Sequence, residues 1–211
     1  MVDYISRCIE NPSVQKLKQI KERNPYHNEA SVFEHTMDVL NAIPDSIEYF
    51  ISLKPESKNH FSSNIGSFVR SELLRVTAIF HDVGKYMPNQ PIIEHAYGHD
   101  KTGSDIALQE LTELGFDSEE TDYVSFIVRN HMRPFNYLTS LHTTENPTRL
   151  FNRMRKKLGD NYLDVLVHSF ADIVGSNTTL HLEPINKNDG TCMSDKDHII
   201  KLFGDYYVTN N

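Results

Sequence analysis

Apolar residues recur along this chain three and four positions apart, the period of a helix with one buried face. Val14, Leu17 and Ile20 mark a short first helix. Ser31-Val32-Phe33-Glu34 reads as a capping box, in which a hydroxyl and a carboxylate satisfy N–H groups at a helix start. The helix it opens carries Val32, Val39 and Leu40. It is expected to stop before Pro44, because proline lacks the N–H that an interior turn needs. A further run around Ile47, Phe50 and Leu53 ends near Pro55. Residues 54–67 are polar and read as an exposed loop. Ser71 then starts a helix through Leu73, Leu74, Ala78 and Ile79, with Gly84 as a natural stop.

Pro88 and Pro91 break the next stretch. A helix with Ile106, Leu108 and Leu111 follows and ends at Gly115. Ser118 caps another, through Val124, Ile127 and Val128, which ends before Pro134. Leu150, Phe151 and Met154 mark the next. Leu163, Leu166, Val167, Phe170, Ile173 and Val174 form the most hydrophobic helix, expected to be central. Residues 175–195 are polar and read as a loop, after which Ser194 caps a last helix with Ile199, Leu202 and Phe203. No alternating strand pattern is convincing. The expectation is one all-α domain over residues 1–211, with eight to ten helices in a bundle.

Composition narrows the class. A hydrophobic content of 38% and a charged content of 24% are those of an ordinary soluble globular domain. No apolar run approaches the roughly 18 residues that span a bilayer, and the start lacks a secretory pattern, so a cytoplasmic protein without membrane contact is expected. Cys8 and Cys192 are too few and too isolated for a disulfide framework or a thiolate metal site. Any metal must therefore use histidine and carboxylate. The formal net charge of −8 disfavours a long nucleic-acid duplex as partner, while small phosphorylated ligands stay compatible with it.

The 11 histidines draw attention to Ile79-Phe80-His81-Asp82-Val83-Gly84-Lys85. Imidazole beside carboxylate suits a divalent ion such as Mn, Fe, Co, Ni or Zn. A carboxylate at a helix C-terminus opposes the helix dipole, and a bound cation would compensate. Partners occur elsewhere on other helices: His35 on the core-facing side of its helix, His99, His131 and Asp172. Asp172 lies in Val167-His168-Ser169-Phe170-Ala171-Asp172-Ile173-Val174, where an unpaired carboxylate would cost several kcal/mol. His168, one turn before it, is either an orienting partner of the site or an ordinary hydrogen-bonding histidine. His95 competes with His99, and spacing alone does not choose between them.

The order His35, His81-Asp82, Asp172 on separate helices resembles the HD superfamily of metal-dependent phosphohydrolases. Asn24-Pro25-Tyr26-His27 followed by Val32-Phe33-Glu34-His35-Thr36 is similar to the opening of the HD modules in CCA-adding tRNA nucleotidyltransferases. Gly84-Lys85, Gly98-His99-Asp100-Lys101-Thr102-Gly103 and Val128-Arg129-Asn130-His131-Met132-Arg133-Pro134 continue the likeness. The chain also resembles HD phosphatase modules fused to bacterial polynucleotide kinases. The resemblance covers about residues 24–176, leaving a C-terminal loop and helix over 177–211. Val83-Gly84-Lys85-Tyr86 lacks the Glu-Asp pair of (p)ppGpp hydrolases. The Gly-His-rich continuation of many deoxynucleotide triphosphohydrolases is absent, as is the Gly-Tyr-Pro signature of cyclic-di-GMP phosphodiesterases. Ser176 stands where an arginine is often seen.

The resemblance implies one or two divalent ions, with Mg also admissible, held by His35, His81, Asp82 and Asp172. His99 and His131 would add a second ion, with Asp82 as the bridge. It implies hydrolysis of a phosphomonoester or 2′,3′-cyclic phosphodiester of a nucleotide or RNA end by a metal-activated water. Asp82 and Lys85 would be catalytic, and His27, Lys85 and Arg133 would meet the substrate, Lys85 and Arg133 by neutralising phosphoryl charge. A homo-oligomer is compatible with this reading. The alternative is a non-catalytic HD module that senses a nucleotide or metal, since fold alone does not establish catalysis. Arg149, Arg153, Arg155, Lys156 and Lys157 form a basic cluster that would suit RNA ends, or simply a solvated helix face.

Overall fold

The computed structural model describes residues 4–23, 31–140, 147–176, 201, 203–205 and 207–208. The chain opens with α1 (Tyr4–Ile9) and α2 (Pro12–Gln15), the latter continued by a 3-10 turn, Lys16–Gln19, and then β1 (Lys21–Glu22). Next come α3 (Val32–Leu53), α4 (Ser57–Phe61), β2 (Asn64–Ile65), β3 (Phe68–Val69) and α5 (Arg70–Phe80). A 3-10 turn, Val83–Lys85, leads to β4 (Ile92–Ile93), α6 (His99–Glu113), α7 (Ser118–Asn130), α8 (Met132–Ser140) and α9 (Pro147–Leu158). After a last 3-10 turn, Gly159–Asn161, comes α10 (Tyr162–Gly175). The fold is all-α with minor strands, as the apolar periodicity predicts.

The core forms where α3 packs on α5 and α10, with α6 and α7 laid against each other beside them. Val39, Ile43 and Phe50 of α3, Leu73, Leu74 and Ile79 of α5, and Val165 and Val167 of α10 are almost wholly excluded from solvent. Phe50 meets Phe170 edge-on at 5.4 Å, and Tyr49 stacks on Phe170 at 4.8 Å. No described helix is long and apolar enough to cross a membrane.

Several boundaries differ from those read in the sequence. The stop expected before Pro44 does not occur: α3 runs unbroken from Val32 to Leu53 with Pro44 inside it. Pro44 lies on the exposed side, so the missing N–H is tolerated while both halves of the buried face stay in one core. The loop expected over 54–67 contains α4 and a β2–β3 hairpin, which bury Phe61 and Ile65. Two apolar residues in that polar stretch are enough to pin it down. Helix α5 begins one residue earlier than expected, at Arg70, with the Glu72 carboxylate accepting from the Val69 N–H. Asp117 rather than Ser118 caps α7: its carboxylate accepts from the Glu120 N–H at 2.9 Å, and Glu120 accepts from the Asp117 N–H at 2.9 Å. Ser194, Ile199 and Leu202 lie outside the described residues, while 201, 203–205 and 207–208 are helical and Phe203 is buried.

Candidate metal centre

Four helices and one turn bring the histidines and aspartates together. His35 comes from the first turn of α3, held by the Ser31 hydroxyl that accepts from the Glu34 N–H at 3.2 Å. His81 and Asp82 follow the end of α5, where the core has already buried Ile79 and Phe80. His99 is the first residue of α6, His131 follows the last residue of α7, and Asp172 sits in the last turn of α10.

Two glycine contacts set the spacing. A Cβ on Gly84 would lie 2.1 Å from the His99 carbonyl oxygen and 2.5 Å from the Gly103 nitrogen. Only glycine therefore lets the turn carrying Asp82 touch α6. Likewise a Cβ on Gly175 would lie 2.8 Å from the Val39 nitrogen, so α10 meets α3 backbone to backbone just past Asp172 and His35. The stop expected at Gly84 thus falls differently: α5 ends at Phe80, and Gly84 serves as a contact point within the following turn.

The side chains converge in two groups that share Asp82: His35, His81 and Asp82, then Asp82, His99 and His131, with the potential ligand atoms of each group all within 4.8 Å of one another. His35 Nε2 is 2.9 Å from Asp172 Oδ1 and 3.8 Å from Asp82 Oδ2. His81 Nε2 is 3.2 Å from Asp82 Oδ2 and 3.7 Å from Asp172 Oδ1. His99 Nε2 is 3.5 Å from Asp82 Oδ1. His35, His81, Asp82 and His131 are buried, while His99 and Asp172 are partly so.

The hydrogen bonds fix which ring nitrogen faces the centre. Carbonyl oxygens only accept, so His81 Nδ1–H donates to Ala78 at 2.8 Å, His99 Nδ1–H to Ala96 at 2.8 Å and His131 Nδ1–H to Val128 at 2.6 Å. In each neutral ring the lone pair then belongs to Nε2, the tautomer a metal ligand needs. Yet His99 Nε2 and His131 Nε2 are only 3.2 Å apart, and buried His81 Nε2 has no hydrogen-bond partner. Converging lone pairs beside carboxylates repel unless a cation lies among them. The donor set therefore fits divalent ions.

The electrostatics show two carboxylates that draw positive charge toward the centre. Burial alone would raise the Asp82 carboxyl, but the His81 ring and the Lys85 ammonium hold it well below the usual range. Burial would raise Asp172 too, but the hydrogen bond from His35 and the nearby His81 hold it far below. His131 is pushed down to about 4 by burial and then by His99 and His81. The centre thus offers ionised carboxylates and, at His131, a neutral imidazole.

A model of the HD domain family matches residues 32–202, from the start of α3 past the whole centre. The chain belongs to the HD domain family. Members of that family are mostly metal-dependent phosphohydrolases, and this HD domain carries a His/Asp cluster able to hold a metal. The comparison with curated proteins gives no match.

Other expected site residues fare differently. His95 is exposed, so of the two competing histidines it is His99 that reaches the centre. Lys85 is not the loose lysine that its place after a helix suggests. It is 5% exposed, and its ammonium sits 2.7 Å from Glu22 Oε2 and 2.9 Å from Asp82 Oδ2. These two carboxylates raise its affinity for the proton against the effect of burial. Arg133 is partly buried and donates from Nε to the Asn130 side chain. His27 lies outside the described residues. Arg149, Arg153, Arg155, Lys156 and Lys157 are all exposed on α9, with Arg155 over the Tyr162 ring at 5.8 Å.

Of two further neighbours of the centre, Glu22 escapes sequence reasoning, and His168 is the residue for which the sequence left two readings open. Glu22 reaches Lys85 because β1 pairs in parallel with β4, Lys21 beside Ile92 and Glu22 beside Ile93. No local spacing announces a two-residue strand that pairs some 70 positions away. His168 is fully buried, its ring 5.3 Å from that of His81 and 5.9 Å from that of His131, and neither of its nitrogens has a hydrogen-bond partner. Burial and the His81 and His131 rings push it well below the usual histidine range, so it packs as a neutral ring behind the ligands.

Proposed function

We propose that this HD domain is a metal-dependent phosphohydrolase acting on a phosphomonoester or 2′,3′-cyclic phosphodiester of a nucleotide or RNA end. The observation that carries this reading is Asp82, whose two oxygens face two separate histidine groups. A carboxylate so placed suits a pair of divalent ions (Mn, Fe, Co, Ni, Zn or Mg), held by His35, His81, Asp82 and Asp172 on one side and by Asp82, His99 and His131 on the other. Bound there, such ions supply Lewis acidity toward phosphoryl oxygens and a nucleophilic water at neutral pH.

The chain's own residues supply the rest. The Nδ1–H bonds to Ala78, Ala96 and Val128 hold the rings of His81, His99 and His131 in ligand orientation before any substrate arrives. Lys85 brings a fixed positive charge to Asp82, where it can offset charge developing on a phosphoryl group. The likeness of the motifs to HD modules of CCA-adding enzymes and kinase-fused phosphatases supports a nucleotide-type substrate. Elemental analysis of the purified protein, joined to a hydrolysis screen over nucleotides and 2′,3′-cyclic nucleotides in Mn, Co, Ni and Mg, tests the proposal. Turnover that needs metal and disappears with Asp82→Asn is expected. Metal uptake with no hydrolysis of any phosphate ester would replace the enzyme by a sensing module.

A further inference from the structure

Tyr97 is 90% exposed, whereas every other described tyrosine is buried or partly buried. Exposing one large ring this fully forgoes the apolar burial that tyrosines normally provide. Its position is also particular. It lies in the turn Ala96-Tyr97-Gly98-His99, closed by the His99 N–H bonding to the Ala96 carbonyl at 3.1 Å. Gly98, at φ 77°, takes the left-handed conformation the turn needs. His99 then sends its ring into the metal centre, and its Nδ1–H returns to the same Ala96 carbonyl. Two peptide units separate Tyr97 from His99, at most about 7.6 Å between their Cα atoms. The exposed ring is thus carried by the same turn that carries His99 into the centre. The His95 ring, also exposed, lies 5.5 Å from that of Tyr97 at an interplanar angle of 39°.

An aromatic face presented to solvent one turn from a phosphate-handling centre suits a flat, aromatic part of the same ligand. We propose that Tyr97, with His95 beside it, is a stacking platform for the base of a nucleotide whose phosphate rests at the metal centre. The inference rests on the phosphohydrolase reading for the position of the phosphate, and names the recognised element as an aromatic base. Base-on-ring stacking tolerates any base, because each has a π face. The platform would favour nucleotides over base-free phosphate esters without selecting among bases.

The chain contains no tryptophan, so Tyr97→Trp gives a single indole reporter. With Mn present, adenosine 5′-monophosphate should quench its fluorescence, and ribose 5-phosphate at the same concentration should not. Leu108→Trp, on an exposed position of α6, serves as a control that should stay unquenched. In steady-state assays, Tyr97→Ala should lower the kcat/KM preference for adenosine 5′-monophosphate over ribose 5-phosphate by about tenfold or more, and Tyr97→Phe should keep it. Equal quenching by both esters, equal quenching in the Leu108→Trp control, or no quenching would overturn the platform. So would a signal that follows protein concentration alone, which would make Tyr97 a self-association contact. If no ester is hydrolysed, the phosphohydrolase reading fails, while the quenching still decides whether a base stacks on Tyr97.

Discussion

His99 and His131 face each other Nε2 to Nε2 across 3.2 Å, and each gives its other ring proton to the carbonyl three residues before it. The contact cannot be a hydrogen bond between two neutral rings of that tautomer, because neither facing nitrogen carries a proton. Two lone pairs facing each other at this distance suit a cation held between them. His99→Ala and His131→Ala should each lower metal stoichiometry by about one ion in a two-ion site, while His95→Ala leaves it unchanged. Inductively coupled plasma analysis of dialysed protein reads this directly. Unchanged stoichiometry in both variants would make the site mononuclear.

Asp82 touches both ligand groups, so its loss should be felt by both ions. Asp82→Asn keeps the shape but removes the charge that balances them. Metal content should fall to near zero and hydrolysis by about a hundred- to a thousandfold, the scale for a lost electrostatic group, while circular dichroism still shows a helical protein. Normal metal content in this variant would remove Asp82 from the centre.

Ions that bind the folded chain only must also stabilise it. At free metal about a thousand times Kd the gain is about 4 kcal/mol, which for a chain of this length corresponds to roughly 10 °C in Tm. Thermal unfolding with Mn or Co should therefore shift upward, and chelation should reverse it. A Tm indifferent to metal and chelator would argue that the ligands are already satisfied without one.

The buried position of Lys85 changes what its removal should do. Between Glu22 and Asp82 it is an ion-pair partner of both, and truncating it leaves buried Asp82 and partly buried Glu22 without that cation. Lys85→Ala should cost about 3–5 kcal/mol in denaturant unfolding, and Lys85→Met with Glu22→Gln should recover part of that. Full stability in the single variant would show that these ion pairs contribute nothing net to folding.

Cys8 gives a test of the core outside the candidate ligand set. It is wholly buried, and burial pushes its thiol from 9.0 up to about 12. Its folded state holds the proton more tightly, so its contribution to stability is complete below about pH 9 and fades as pH rises toward 12. In a Cys192→Ser background, a thiol reagent at pH 8 should label Cys8 only at the rate of unfolding.

The helices were legible because the buried faces of α3, α7 and α10 keep a regular apolar period, and His81-Asp82 stood out at the end of the apolar run of α5. The breaks were less legible. Pro44 is a strong local signal against a helix, yet tertiary burial on both sides of it carries α3 through. Asp117 and Ser118 are equally plausible caps by type, and only the reciprocal bond with Glu120 separates them. Glu22 was invisible because its role comes from the pairing of β1 with β4, a contact across the fold. The choice between His95 and His99 required the turn at Gly98, which sends one ring inward and leaves the other outside.

Gly84 against α6 and Gly175 against α3 make both seams of the centre main-chain contacts. Side chains can change rotamer to suit a guest, but peptide units pressed together cannot. The width of the cradle is therefore a fixed property of the fold, and discrimination between ions should follow ionic radius more steeply than ligand chemistry alone would give. Competition between Mn and the smaller Zn, compared in the parent chain and in Gly84→Ala, would reveal whether the backbone acts as the gauge.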